Sequence, residues 1–268
     1  MKSPADESAT IAGRFLAARR AAKGLGEYPG SLPRTLEDAY AIQDAAMASF
    51  GKKVVGWKVG RVMPPQSEQF GADRLAGPIF ADQLAIADGG EPSMPVFAEG
   101  FAAGEAEFLL RVASAPRPGQ MSFSLAEAAG LIDRVHVGIE IASSPLGAIN
   151  AIGPMAVISD FGNNNGLVVG PEIADWQGSG FEDWDVSTII DGHSAGSGST
   201  RAFPDGAIGA ARFLFELLAK RGIALEAGQW ISSGAVTGVH QVTPGQRIEA
   251  KFGDDYSVAC RVEAATPE

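Results

Sequence analysis

The sequence contains little cysteine, few basic residues and no long apolar run, and each shortage excludes a class of protein. Cys260 is the single cysteine among 268 residues, so no disulfide can form within the chain. The opening residues MKSPADESAT lack the basic and then apolar pattern of a secretory signal. No apolar run approaches the roughly 20 residues that cross a bilayer. We therefore expect a cytoplasmic protein that has no membrane partner.

The charge balance and the missing motifs narrow the function further. The formal net charge is -11 and the isoelectric point is about 4.8, whereas proteins that bind nucleic acid usually present a basic face. The chain has no GxGxxG after a strand, no P-loop, no GxSxG and no CxxC. Nucleotide cofactors, serine hydrolysis and nucleic acid are therefore not indicated, and a small-molecule ligand is favoured.

The hydrophobic pattern changes from helical to strand-like near residue 51. Two helices are predicted between about residues 8 and 51, with Thr35 and Asp38 resembling a helix N-cap and Gly51 a helix end. Short β-branched runs divided by Gly and Pro follow, and two further helices are predicted at 124–134 and 204–222. With 46% hydrophobic residues the chain can bury a sizeable core. We expect an α+β protein with a mostly β core and a helical N-terminal cap.

Glu105 and Glu107 alternate with apolar residues in the run EAEFLLRV, so they point to the same face of a predicted strand. Two such carboxylates, about 6.5 to 7 Å apart along the strand, can converge on a hard divalent cation. An ordinary solvated strand face has the same pattern, and the two residues alone do not separate these alternatives.

Glu140 lies in the run VHVGIEIA, where every other residue except His136 is apolar or glycine. A buried carboxylate there needs a cation or strong hydrogen-bond donors, and an arginine partner would satisfy it as well as a metal ion. His136 lies about 13 Å away along an extended strand, too far to bind the same ion.

Lys58 stands between Gly56 and Gly60 in the run KVVGWKVG, on the strand face opposite Trp57. Glycines beside a charged group permit the close approach of a ligand, and a lysine there could pair with a carboxylate or transfer a proton. A lysine that guards an exposed edge strand would have the same pattern.

Several segments resemble the 2-keto-4-pentenoate hydratase and 4-oxalocrotonate decarboxylase family of the fumarylacetoacetase-like superfamily. These are AYAIQ at 39–43, VVGWKVG, GPIFAD at 77–82, EAEF, GIEIASS, SDFGNNNGLVVG and WISSGAVTG, in this order. The resemblance covers nearly the whole chain and implies a mixed β-roll that is usually a homo-oligomer. Residues 1–75 would then form the helical cap and first strand, and 76–268 the metal-binding catalytic domain.

The resemblance also implies a site and a reaction. Glu105, Glu107 and Glu140 would bind Mg²⁺ or Mn²⁺, and Lys58 would be the active-site lysine, with Asp82 as a further candidate for proton transfer. The implied substrate is a small 2-hydroxydienoic acid or its 2-oxo form. The implied lyase reaction is its hydration through a metal-bound enolate. Asp160 matches the family's loop aspartate, and Ser233 is a weaker candidate for binding the substrate carboxylate.

Three other functions stay open because the segments around the predicted metal site depart from the hydratase pattern. Phe161 stands where asparagine is usual, DRLAGP replaces the segment with an aspartate before GPIFAD, and AFPD at 202–205 replaces LGHP. Decarboxylation of a 2-oxo-3-enedioate is the main alternative. Hydrolysis of a C–C bond, and binding of an oxo acid without turnover, are the others. The Gly- and Ser-rich segment 191–206 is a candidate mobile loop over the site.

Overall fold

The computed structural model describes residues 4–268 and contains two β-sheets with helices packed against them. The α-helices are α1 (Pro4–Arg20), α2 (Leu36–Phe50), α3 (Gln66–Phe70), α4 (Leu125–Ala129), α5 (Ile149–Ile152), α6 (Pro154–Ser159) and α7 (Gly206–Arg221). The strands are β1 (Val54–Arg61), β2 (Arg74–Phe80), β3 (Leu84–Ile86), β4 (Ser93–Val96), β5 (Phe101–Val112), β6 (Ile132–Ser144), β7 (Asn164–Glu172), β8 (Val186–Ile190), β9 (His193–Gly198), β10 (Trp230–Ser232), β11 (His240–Gln241), β12 (Arg247–Phe252) and β13 (Tyr256–Ala264).

The larger sheet has the strand order β2-β1-β10-β5-β6-β7-β3, and β11 also pairs with β5. The pairs β1–β10 and β3–β7 are parallel, and the other pairs in this sheet are antiparallel. The smaller sheet has the order β4-β13-β12-β8-β9. The mixed sheets and the helices at the N-terminus confirm the predicted α+β fold with a helical cap. The division at residue 75 stays a prediction; β1 pairs with β2, which spans residue 75, and with β10, which lies far beyond it.

The main hydrophobic core lies between the two sheets. Phe108 on β5 projects into it. Its ring centroid lies 4.9 Å from that of Phe181 and 5.1 Å from that of Phe252, which belongs to β12 of the smaller sheet. Its neighbours Ala106 and Leu110 point the same way and are buried in the same cluster. Because strand residues alternate, Glu105 and Glu107 must project from the opposite face of the larger sheet.

A second hydrophobic cluster joins α1 and α2 to that opposite face. It includes Phe15, Phe50, Phe80 and Phe161, and the last three rings lie within 5.5 Å of one another between centroids. The predicted cap of α2 is confirmed, since Thr35 Oγ1 accepts a hydrogen bond from the Asp38 backbone N–H. Gly51 ends the helix in a left-handed conformation.

The fold corrects two predictions of secondary structure. The helix predicted at 124–134 ends at Ala129, because residues from Ile132 onwards pair with β5 as strand β6. The segment 191–206, a candidate mobile loop, contains strand β9, which pairs with β8, and its mobility stays a prediction. No helix in the described range 4–268 is long and apolar enough to cross a membrane.

Candidate metal and active site

Glu105, Glu107 and Glu140 meet where β5 and β6 lie side by side in the larger sheet. Glu105 is directly opposite Glu140 in the strand register, and Glu107 is two residues along β5 on the same face. One carboxylate oxygen from each residue lies within 4.8 Å of the others. The exposed fractions are 5% for Glu105 and 0% for the other two, so the alternative of a solvated strand face is wrong.

The hydrogen bonds of this carboxylate cluster leave oxygens free in its interior. Glu107 Oε2 accepts hydrogen bonds from Ser232 Oγ at 2.5 Å and from the Gly234 backbone N–H at 2.8 Å. Glu140 Oε1 accepts one from Asn164 Nδ2 at 2.9 Å. The second oxygens, Glu107 Oε1 and Glu140 Oε2, are buried and have no hydrogen-bond partner among the described residues. Buried unpartnered carboxylate oxygens are costly, and a hard divalent cation would satisfy them.

The pKa values of two of these glutamates are also shifted by the excess of buried negative charge. Burial raises the pKa of the Glu105 carboxyl to about 7, although Lys58 opposes the shift, and Glu140 adds to it. Burial also raises the pKa of Glu107 well above its ordinary value, reinforced by Glu140 and Glu105. Glu105 and Glu107 therefore favour their protonated forms, and a divalent cation bound there would compete with those protons.

Lys58 is the cation that faces the carboxylate cluster. Its Nζ lies 3.3 Å from Glu140 Oε1, and its side chain is 6% exposed. Burial alone would lower the pKa of this ammonium, but Glu140, Glu105 and Glu107 together hold it above its ordinary value. The alternative of an edge-strand lysine is wrong, because β1 lies between β2 and β10.

A cavity of about 690 Å³ reaches the cluster from one side, and both Lys58 and Glu105 line it. Apolar side chains form much of its wall, among them Val62, Leu75, Val157, Phe203 and Val236. Polar groups also line it, namely Gln66, Asn150, Asn163 and Thr237. An apolar cavity with a few polar groups at one end is typical of a small-molecule site.

A left-handed turn presses against Lys58 at the cavity wall. Phe161, Gly162 and Asn163 have consecutive φ values of 56°, 68° and 65°, a conformation that favours glycine and is costly for the other two residues. A Cβ atom added to Gly162 would lie 2.9 Å from Lys58 Cδ and 2.9 Å from the Gly77 Cα. The turn thus limits where the lysine stem can lie, and glycine permits this close approach.

Asp82 and Ser233, two further residues predicted for the site, lie in different surroundings. Asp82 is half exposed, forms an ion pair with Lys52 at 2.8 Å and does not line the cavity, so the geometry gives no support to its proton-transfer role. Ser233 is buried beside the cluster's donor Ser232, and its Oγ has no hydrogen-bond partner within residues 4–268.

Asp160 is buried in a polar network that lies outside the cavity lining. Both of its carboxylate oxygens bond the guanidinium of Arg19, at 2.6 and 3.0 Å, and Ser144 Oγ donates to Oδ2 at 2.6 Å. A carboxylate used in this way ties α1 to the segment before β7. The geometry therefore indicates a structural role for Asp160, and its substrate-binding role stays a prediction.

Two residues of the site were not predicted from the sequence. Ser232 donates to Glu107, and Asn164 donates to Glu140. Asn164 is one of three successive asparagines in the segment SDFGNNNG, and Ser232 directly precedes the predicted Ser233. The sequence did show polar residues next to predicted strands at both positions. It could not show that they bond Glu107 and Glu140, because these partners are distant in the sequence.

No protein-family model matches the chain. A 4-oxalocrotonate decarboxylase from Pseudomonas putida is 25% identical to it over 247 residues, which are 89% of each chain. Among solved structures, 4-oxalocrotonate decarboxylase from Pseudomonas putida G7, complexed with magnesium and adipate, has a TM-score of 0.80 at 21% identity. That match covers 96% of this chain and 97% of the other. Fumarylpyruvate hydrolase from Pseudomonas aeruginosa, in complex with Mn²⁺ and pyruvate, has a TM-score of 0.53 at 17% identity, with 78% and 89% covered.

The predicted fumarylacetoacetase-like fold is confirmed by its likeness to these solved structures. The predicted resemblance to the 2-keto-4-pentenoate hydratase and 4-oxalocrotonate decarboxylase family is confirmed by the similarity in sequence to the decarboxylase over 89% of each chain.

Proposed function

We propose that this protein is a metal-dependent decarboxylase of a 2-oxo-3-enedioate such as 2-oxohex-3-enedioate. The observation that carries this proposal is the buried set of three glutamates beside Lys58 at the end of a mainly apolar cavity. The sequence predicted hydration first and decarboxylation second. Similarity to a 4-oxalocrotonate decarboxylase over 89% of each chain favours decarboxylation.

Glu105, Glu107 and Glu140 would hold the divalent ion, with Mg²⁺ or Mn²⁺ as the candidates. Their buried oxygens without hydrogen-bond partners fit such an ion, as do the magnesium and Mn²⁺ in the two similar structures. When bound, the ion supplies a Lewis acid that polarises the 2-oxo group of the substrate. Ser232 and Asn164 would fix the orientation of Glu107 and Glu140 by the hydrogen bonds described above.

Lys58 would act at the oxygen on which charge develops. As the bond between C5 and the C6 carboxylate breaks, carbon dioxide leaves and the electron pair shifts through C4 and C3 to the 2-oxo oxygen. Lys58 Nζ would donate a hydrogen bond and then a proton to that oxygen, which gives 2-hydroxypenta-2,4-dienoate. A divalent ion would offset two of the three carboxylate charges, which would weaken the cause of the raised lysine pKa and make this proton more available.

The cavity wall would exclude water from the reacting atoms. Its apolar side chains, such as Leu75 and Val157, would surround the carbon chain of the substrate. The left-handed turn at 161–163 would hold the lysine stem in place during the reaction.

The test is incubation of the protein with 2-oxohex-3-enedioate, with Mg²⁺ and then with excess EDTA, while carbon dioxide and enone absorbance are followed. We expect metal-dependent carbon dioxide release, lost in Glu107→Gln and retained in the matched surface variant Glu263→Gln. Glutamine keeps an acceptor for Ser232 but removes the charge. Metal-dependent decay of added 2-hydroxypenta-2,4-dienoate, with no carbon dioxide from the diacid, would instead support hydration.

A further inference from the structure

Arg61 is a second cation on the cavity wall, and the mechanism above does not use it. It lies at the end of β1, three residues after Lys58, or about 10 Å along an extended strand. Among the described residues that line the cavity, the charged side chains are those of Lys58, Glu105 and Arg61. Arg61 is exposed to solvent, whereas the other two are buried. It therefore marks the opposite, wetter part of the cavity.

The guanidinium of Arg61 is held in position but has no acidic partner. Its Cζ lies 5.3 Å from the ring centroid of Phe203, and Nη1 donates to the Ala202 carbonyl oxygen at 3.2 Å. Both contacts anchor the group beside the cavity, since Ala202 and Phe203 also line it. No carboxylate within residues 4–268 lies at ion-pair distance from Arg61. Most of its five N–H donors remain available to a ligand.

The local charge around Arg61 is also unbalanced. In the antiparallel pairing of β1 with β2, Arg61 is directly opposite Arg74, and like charges at opposed positions repel. Arg74 has Asp73 as an ionic partner at 3.4 Å, but Arg61 has none in the described chain. An anion bound in the cavity would relieve this repulsion.

We propose that Arg61 binds the far-end carboxylate of the substrate and so selects a dicarboxylic 2-oxo acid over a monocarboxylic one. The inference rests on the proposed function, because it takes the 2-oxo end of the substrate to lie at the three glutamates. With a divalent ion bound, the three glutamates and Lys58 together carry no net charge, so they offer no surplus positive charge to a diacid, whose second carboxylate also lies away from the ion. Arg61 supplies that charge.

A six-carbon diacid carries a second carboxylate about 6 Å from the first when extended. Lys58 and Arg61 lie three residues apart on β1, so their side chains leave opposite faces of the strand. Arg61 reaches the cavity at the end of the strand, beside Ala202 and Phe203. A monocarboxylic 2-hydroxydienoate has no group at its far end for Arg61 to bind, so the same residue favours the decarboxylase substrate over the hydratase substrate.

The test compares 2-oxoadipate with 2-oxohexanoate, which share the 2-oxo acid and the chain length and differ in the far-end carboxylate. Binding of each is measured by titration calorimetry with Mg²⁺ and with EDTA. The proteins are the wild type, Arg61→Met, Arg61→Lys and the control Arg117→Met, an exposed arginine outside the cavity. We expect the wild type to bind 2-oxoadipate about tenfold more tightly than 2-oxohexanoate.

In Arg61→Met this preference should disappear through weaker binding of 2-oxoadipate alone, and Arg61→Lys should retain part of it. Unchanged affinity for 2-oxohexanoate shows that the variant site is folded. Equal weakening of both acids, or an unchanged preference, would overturn the role of Arg61 while leaving the proposed function standing. If neither acid binds to the wild type in a Mg²⁺-dependent way, the proposed function fails, and the role of Arg61 fails with it.

Discussion

Replacement of Gly162 by alanine measures how closely the turn at 161–163 is built against Lys58. Two costs are expected. The first is conformational, about 1–2 kcal/mol, because the residue has a φ of 68° and L-residues disfavour that region. The second is steric, because the new Cβ would lie 2.9 Å from both Lys58 Cδ and Gly77 Cα. The backbone of Gly77 cannot yield easily, so overpacking should cost about 1–3 kcal/mol more.

Gly222→Ala is the matched control, because Gly222 has a φ of 66° and no heavy atom within 4 Å of its added Cβ. Urea unfolding of both variants separates the two costs, since the control has the conformational cost alone. We expect Gly162→Ala to lose about 1–3 kcal/mol more stability than the control. It should also bind 2-oxoadipate more weakly in the presence of Mg²⁺, because the lysine stem is displaced. Equal losses of stability in the two variants would refute the close packing of this turn on Lys58.

Two further predictions concern the metal ligands and the buried ion pair. Mg²⁺ should bind more tightly at pH 8 than at pH 6 in calorimetric titrations, because the pKa of Glu105 is raised to about 7 and its proton competes with the ion below that pH; affinity that does not change with pH would contradict this. Asp160→Ala should lower the free energy of unfolding by about 3–5 kcal/mol, because it leaves the Arg19 guanidinium buried without its partner. The double variant Arg19→Met with Asp160→Leu should recover much of that loss in urea unfolding, and it would also show whether ligand binding needs the Asp160 carboxylate.

The carboxylate cluster shows which properties of a functional site can be predicted from the periodicity of the sequence. Alternation in the run EAEFLLRV places Glu105 and Glu107 on one face, and the structure has them so. Their burial could not be predicted from the same pattern, because it depends on strands and helices that pack over that face. Glu140 was the more informative residue, since its apolar neighbours made a charge there unexpected.

The position of Lys58 within the sheet depends on a partner distant in sequence. Its strand is interior because β10 pairs with it in parallel, at a register that sets Lys58 opposite Ser232. Local sequence contains no signal for such a pairing. The same limit applies to Asp160, whose partner Arg19 comes from the first helix. The helix predicted at 124–134 failed for a related reason, because pairing with β5 extended β6 back to Ile132.

The parallel pairing of β1 with β10 has a consequence for how the protein is made. Glu107 accepts its hydrogen bonds from Ser232 and Gly234. These two donors are among the last residues around the larger sheet to leave the ribosome, whereas Lys58 emerges early. Contacts between such distant segments form late because loop closure must precede them. A nascent chain that already contains all three glutamates therefore lacks a complete site until synthesis has passed Gly234, and the protein should acquire its metal only after that point.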